Sequence, residues 1–334
     1  MSAAVDSPLL QARGVARRYA MRQGLLGRAV EIRAVDGITL TVERGRTLGL
    51  VGESGSGKST AGRLVLGFET PDDGDVLFNG EAVPKPRTLA WRQMRARMQM
   101  IYQDPLGALD RRLPVADQVR EPLDIHRLGD AKDRDAMARA LLQSVGLRAD
   151  QGERYPHELS GGQRQRAVIA RALATKPDLL VCDEPVSALD VSIQAQVINL
   201  LVDIQQELGL GMLFISHDLK VVRQVSHRVA VMYLGRIIEE GDADLLLASP
   251  AHPYTEALVS ASPAPGRRAR PRIILSGDPP NPAARPAGCA FHPRCHAVQA
   301  RCRVESPALL PLPDGRLAAC HVAHDQVGNP KAVH

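Results

Sequence analysis

Residues Gly52 to Ser59 read GESGSGKS, the pattern G-x-x-x-x-G-K-[ST], between an apolar run, TLGLVG, and a helix-like stretch, KSTAGRLVLGF. The small residues Gly52, Ser54, Gly55, Ser56 and Gly57, with Glu53 among them, let consecutive backbone N–H groups converge on phosphate oxygens. A helix opening at that point turns the positive end of its dipole toward the same anion. At this spacing Lys58 reaches β- and γ-phosphates, Ser59 ligates Mg²⁺ and Thr60 donates to the α-phosphate. A glycine turn without a ligand is the plainer alternative, and the strand before it and the helix after it argue against that. Downstream, LLVCDEP closes a second apolar run with Asp183 and Glu184. In phosphoryl-transfer sites the first acid at such a strand end holds Mg²⁺. A second carboxylate beside the γ-phosphate can orient and deprotonate the attacking water. Alone the pair could be a solvated acidic turn; with Lys58 upstream it reads as catalytic.

A third segment, ELSGGQRQR, places Ser160, Gly161, Gly162 and Gln163 ahead of the helical run QRQRAVIARALA. Ser160 suits an N-cap, and the helix it opens is a second N-terminus able to receive phosphate. One chain with two such ends is explained most simply if the second caps a nucleotide held by a partner chain. Of five cysteines, Cys182 stands alone in an apolar strand and reads as a small core residue. Cys289-x5-Cys295-x6-Cys302-x17-Cys320 supplies four soft ligands, suited to tetrahedral zinc or a [4Fe–4S] cluster. Neither the zinc-ribbon nor a ferredoxin spacing is present, so chemistry leaves both open, with unligated or oxidised thiols as a third state. His292, His296 and His321 could substitute as ligands but read as surface residues.

These groups need elements to hold them. Alternating runs (VDGITLTVERG, TLGLVG) read as strands, and DLLVCDEP and GMLFISHD as two buried ones separated by the helical SIQAQVINLLVDIQQELG. Strand, glycine-rich turn, helix and strand again describe an α/β domain with a parallel sheet. Residues 87–172 are rich in helix formers and read as a helical insertion. Beyond residue 250 the composition shifts: 13 of the 24 prolines lie between Pro250 and Pro313. That tail is a loop-rich appendage that needs a staple to be ordered. At 334 residues the chain has room for two domains at roughly 150 residues each. No run approaches 18 apolar residues, so a membrane-spanning helix is not expected, nor is an export signal, and the reading is cytosolic. Net charge is +5, with scattered basic residues and 3% aromatics, which argues against a nucleic-acid partner.

Taken together, LSGGQ, Gly52–Ser59 and LLVCDEP resemble the motifs of ABC-type ATPases, and further segments sharpen the resemblance. RYPHELSGGQRQR, DEPVSALDVSIQAQVINLL, FISHDL, VMYLGRIIEEG, SPAHPYTEALVSASP and the tail GCAFHPRC…C…AACH are similar to the ATP-binding subunits of dipeptide/oligopeptide importers, the F-type subunit above all. The resemblance implies an ABC ATPase domain over residues 8–250, a transporter-type C-terminal domain over 251–325 and a tail over 326–334. It implies that Tyr19 stacks on adenine, that Gln103 links the Mg²⁺ site to the helical subdomain, and that His217 senses the γ-phosphate. Asp190 would contact the opposite subunit or simply cap its helix. It also favours [4Fe–4S] at the four cysteines. The expected function is an ATP hydrolase, with ATP and Mg²⁺, energising import of dipeptides or oligopeptides at the inner face of the cell membrane. Its partners would be two permease subunits, a paralogous ATPase in a heterodimer and an extracytoplasmic binding protein. The same machinery carrying nickel or a metallophore, glutathione or haem is the alternative; a soluble ABC ATPase acting on nucleic acid is a remoter one, against which the expected long coiled-coil insertion, tandem second cassette and basic tail are not found in this sequence. One departure is DPLGALDRRLPV, residues 104–115, where the family usually has a Ser-Leu-Asn-Pro-Arg-like run facing the permease.

Overall fold

A computed structural model describes residues 7–22, 29–262, 272–278 and 280–328. Of the tail expected over 326–334, residues 329–334 lie outside the described residues. In chain order the strands are β1 (Leu10–Arg22), β2 (Ala29–Val42), β3 (Thr47–Val51), β4 (Asp73–Phe78), β5 (Glu81–Ala82), β6 (Met98–Ile101), β7 (Leu179–Asp183), β8 (Gly211–Ser216), β9 (Arg228–Tyr233), β10 (Arg236–Asp242), β11 (Leu310–Pro311) and β12 (Leu317–Ala318). They form two sheets. An antiparallel sheet has the order β2-β1-β4-β5, and a larger one runs β11-β12-β10-β9-β3-β8-β7-β6.

The middle of the larger sheet, from β9 to β6, is parallel. Its strands are near-continuous apolar runs because both faces are covered. Period-two alternation sorts their side chains between two cores. Leu48, Leu50, Leu179, Val181, Leu213 and Ile215 pack with the antiparallel sheet and the helix Lys58–Val65. Leu180, Cys182, Met212, Phe214, Val229 and Val231 pack on the opposite side with the helices Gly161–Leu173, Val191–Leu208 and Leu219–Val225. Cys182 is thus fully buried as a core residue, and burial pushes its thiol pKa far up.

The stretch 87–172 carries the expected helices, among them Val115–His126 and Arg134–Ser144, but also the unexpected strand β6. Its sequence MQMI is too short and too rich in helix formers to show strand periodicity; pairing with β7 decides its state. The Pro-rich extension is not a separate appendage. Through β12 it adds to the edge of the main sheet, with Glu239 opposite Ala318 and Glu240 opposite Leu317. One buried and one half-buried ion pair help hold it there. Arg316 meets the fully buried Glu239, and Arg285 meets Asp36 of β2. No helix among the described residues is long and apolar enough to cross a membrane.

Candidate nucleotide site

Four chain segments leave the carboxyl ends of parallel strands at one edge of the sheet, where ligands bind in open α/β folds. Val51 of β3 is level with Ser216 of β8, Asp183 of β7 with Ile215, and Ile101 of β6 with Cys182. The residues that follow, Gly52–Ser59, Glu184, His217 and Gln103, are therefore neighbours. Most of them border a cleft of about 480 Å³ lined by Ala34, Ser54, Gly55, Gly57, Lys58, Ser59, Thr60, Gln103, Glu184 and His217. The helix Lys58–Val65 opens directly onto it. Glycine at 57 is required by space as well as by its φ of 105°: a Cβ there would lie 2.0 Å from the Ala34 carbonyl oxygen.

The polar groups form one connected set. Lys58 is only 4% exposed, and its Nζ donates to the carbonyl oxygens of Gly52 and Glu53 at 2.7 and 2.9 Å. Burial lowers the pKa of this ammonium, opposed by Glu184, Asp183 and Glu53. An arriving phosphate would supply the close counter-charge that the buried ammonium lacks. The Ser59 hydroxyl donates to Asp183 Oδ1 at 2.9 Å. Burial pushes the Asp183 carboxyl up, and that same hydrogen bond works against it. Glu184 sits with φ at +47°, uncommon for a residue with a side chain, and its N–H donates to Ile215. The turn aims its carboxylate at two groups: Gln103 Nε2 donates to Oε2 at 3.3 Å, and His217 Nδ1 stands 3.2 Å from the same oxygen. A phosphate cradle, a buried lysine, a hydroxyl–carboxylate pair and a second, hydrogen-bonded carboxylate are the parts that phosphoryl transfer to water uses.

The comparisons agree with this geometry. A model of the ABC transporter family matches residues 35–187, and one of the oligopeptide/dipeptide transporter C-terminal region matches residues 238–302. The chain is 49% identical over 320 residues to the probable peptide ABC transporter ATP-binding protein y4tS of Sinorhizobium fredii, covering 95% of this chain and 91% of that one. It is 45% identical over 317 residues to the dipeptide transport ATP-binding protein DppF of Haemophilus influenzae, covering 94% and 97%. The chain belongs to the ABC transporter ATPases. Among solved structures, a dimeric post-hydrolysis ATP-binding cassette bound to ADP and phosphate aligns with a TM-score of 0.63 at 26% identity, over 70% of this chain and 98% of that one.

Not every residue singled out in the sequence reaches the cleft of this ABC ATPase. Tyr19 lies outside its lining; its hydroxyl donates to Glu69, and the Arg17 guanidinium sits 5.0 Å from its ring centre. Ser56 is buried within the loop and outside the lining. Glu53 turns its carboxylate toward Arg294 of the extension. Ser160 caps the helix Gly161–Leu173 reciprocally with Gln163, at an exposed position outside the cleft. Gly161 and Gly162 pack under Leu189 and Ile193, where a Cβ at 162 would come within 2.5 Å of Ile193 Cγ2. Asp190 occupies the N-cap position of the helix Val191–Leu208 without a capping hydrogen bond from its side chain, so capping does not account for it.

The cysteines of the extension gather but do not form a metal cage. Cys289, Cys295, Cys302 and Cys320 border one small cavity with His252, His292 and His321. Among the described residues no three Cys, His, Asp or Glu side chains are set as metal ligands, and all five cysteines are free. The fold brings the thiols to one place, with the Cys289 N–H donating to the Cys302 carbonyl at 2.9 Å, but leaves them short of ligand geometry. Burial, first, and the neighbouring thiols raise the pKa of Cys289 and push that of Cys295 up to about 11. His296 faces Glu256 instead, 3.4 Å away. The residues missed by sequence reasoning are Ala34, Tyr254 and Arg294; they reach the loop from distant parts of the chain, and no spacing announces them.

Proposed function

We propose that this ABC ATPase energises import of dipeptides or oligopeptides. The observation that carries the reading is the joining of an intact phosphate-transfer cleft to an oligopeptide/dipeptide-type C-terminal region on one chain. Two relatives named for peptide or dipeptide transport, each aligned over more than nine-tenths of this chain, support it. In this reading Gly52–Thr60 cradles the triphosphate, and Tyr19 contacts the base after Arg17 moves off its ring. Ser59, Gln103 and Asp183 offer the hard oxygen donors that Mg²⁺ takes, and the metal would neutralise phosphate charge. Glu184 accepts the proton of the attacking water, with Gln103 and His217 orienting it and His217 turning to the γ-phosphate. Ser160, Gly161, Gly162, Gln163 and Asp190, outside their own cleft, close over the nucleotide of a second ATPase chain, a paralogue in a heterodimer. Closure is a ligand's preference for one of two states, transmitted to two permease subunits on the cytoplasmic face of the inner membrane. An extracytoplasmic binding protein delivers cargo.

The four thiols have the right chemistry for a [4Fe–4S] cluster, with zinc the alternative, and such a group would tie the extension together. Anaerobic purification then yields about one cluster per chain and broad absorbance near about 400 nm, the range of thiolate–iron bands; a colourless, iron-free protein with one zinc would replace the cluster by zinc.

The function is tested by capturing a tagged Glu184→Gln variant from solubilised membranes with ATP and identifying the co-purified chains. Two permeases, a second ATPase and a peptide-binding protein are expected. A permease and binding protein for nickel, glutathione or haem would move the cargo, and ribosomal or DNA-repair proteins without a membrane partner would refute the importer reading.

A further inference from the structure

We infer that Arg294 and Tyr254, both beyond the ATPase domain's own motifs, are positioning residues for the phosphate-binding loop. The whole connection runs through Glu53. The Arg294 guanidinium meets its carboxylate side by side, Nη1 to Oε2 at 2.9 Å and Nη2 to Oε1 at 3.0 Å. The Arg294 side chain is 7% exposed and that of Glu53 27%. The Glu53 N–H donates to the Tyr254 hydroxyl at 2.9 Å, and the Glu53 carbonyl accepts from Lys58. All three polar groups of this loop residue are therefore engaged, two of them by the extension.

Neither brace is loose. Tyr254 is fully buried, with its ring centre 4.7 Å from that of Tyr233 and 5.4 Å from that of Phe291. Arg294 ends the turn His292–Arg294, and its own N–H donates to the Phe291 carbonyl. Arginine suits this place because a planar fork matches a carboxylate in two parallel hydrogen bonds, a geometry lysine cannot reproduce.

The consequence for ATP follows from Lys58. In the structure its ammonium is satisfied by the Gly52 and Glu53 carbonyls. To hold a phosphate it gives up at least part of that coordination, and the loop then loses an internal tie just when its N–H groups have to stay aimed at the anion. The Arg294 and Tyr254 bonds hold Glu53 from outside and persist through that exchange. Without them the loop is free to relax, and ordering it again is charged against ATP affinity. Chemistry at Glu184 is untouched, because neither Arg294 nor Tyr254 lines the cleft. The turn that carries Arg294 lies between Cys289 and Cys295, so the cysteine-bearing loop is also the loop that grips the nucleotide site.

The test uses the full chain, with ATP affinity measured on a fluorescent ATP analogue and steady-state ATPase kinetics alongside. Tyr254→Phe keeps the ring and deletes only the acceptor for the Glu53 N–H; Glu53→Gln keeps the loop's shape and deletes the charge. Each, and Arg294→Gln, should raise Kd and KM for ATP about tenfold, equivalent to about 1.4 kcal/mol, with kcat within about threefold. Arg294→Lys should fall between. Arg294→Gln combined with Glu53→Gln should be no weaker than the weaker single variant, since one interaction is lost twice. If Arg294→Gln does not fold, the two near-isosteric variants carry the test. Unchanged Kd and KM in folded variants, or a loss confined to kcat, would overturn the inference and leave the pair a mere staple of the extension.

Discussion

Glu184 shows how much a single backbone angle decides. Its left-handed conformation, φ +47°, turns the carboxylate out of the strand and into reach of Gln103 and His217. Strain of this kind, of order 1–3 kcal/mol, persists where surrounding structure over-determines it, as the Glu184 N–H bond to Ile215 does here. As the proposed proton acceptor, Glu184 should be separable from nucleotide binding. Glu184→Gln is expected to slow phosphate release by about 10²- to 10⁴-fold while ATP affinity stays within about threefold; retained turnover would remove it from that role. Lys58→Ala should instead abolish detectable ATP binding in the same assay, because the cleft then has no buried cation. The residue types at 58, 59, 183 and 184 were legible in the sequence because phosphate and metal chemistry restrict them so tightly. The tie from Gln103 to Glu184 was not, since 81 positions separate them.

At the scale of elements, the extension is joined to the ATPase body by short pieces of secondary structure and by charge. Two-residue strands such as β11 and β12 bring little pairing of their own, so ion pairs such as Arg285–Asp36 carry part of the docking. Burial works to raise the Asp36 carboxyl, but hydrogen bonds from Arg236 and Arg285 outweigh it and leave its pKa below the ordinary aspartate value. A depressed carboxylate contributes stability above its unfolded pKa and loses it as pH falls through the folded one. Docking of the extension should therefore be full at neutral pH and weaken below the usual aspartate range. Limited proteolysis between pH 7 and 3 should show cleavage after residue 262 rising over that fall, and Asp36→Asn should show raised cleavage already at pH 7 with a flatter pH profile. A wild-type profile for Asp36→Asn would exclude this pair from docking. Pro-rich composition gave the sequence no way to signal such docking, because β12 is recognisable as a strand only beside β10.

For the whole molecule, the exposed helix end at Ser160 is the feature to which the dimer proposal assigns a role. It stands outside its own cleft with a complete capping box, and in the proposed dimer this ordered helix end would face a partner's phosphate. Ser160→Arg should leave ATP binding to the isolated chain unchanged within about twofold, apart from a cap loss of about 1 kcal/mol in stability. It should abolish the ATP-dependent association that Glu184→Gln would otherwise trap, read by light scattering of the eluted species. Association undiminished by Ser160→Arg would place the dimer contact elsewhere.

The sequence by itself determined the chemistry and the α/β class. Phosphate binding at a helix N-terminus demands particular residues at fixed short spacing, and buried parallel strands demand apolar runs of fixed length; both demands are local. Sequence also placed four cysteines and the prolines in one extension, without saying what either would touch. Only the tertiary structure decided that Gln103, Glu184 and His217 meet at one oxygen. It also turned Glu53 away from the cleft, toward an arginine 241 positions on, and made the extension an edge of the ATPase sheet. These are contacts between segments far apart in the chain, each set by strand order and packing, and neither leaves a periodic trace in the residues that make it.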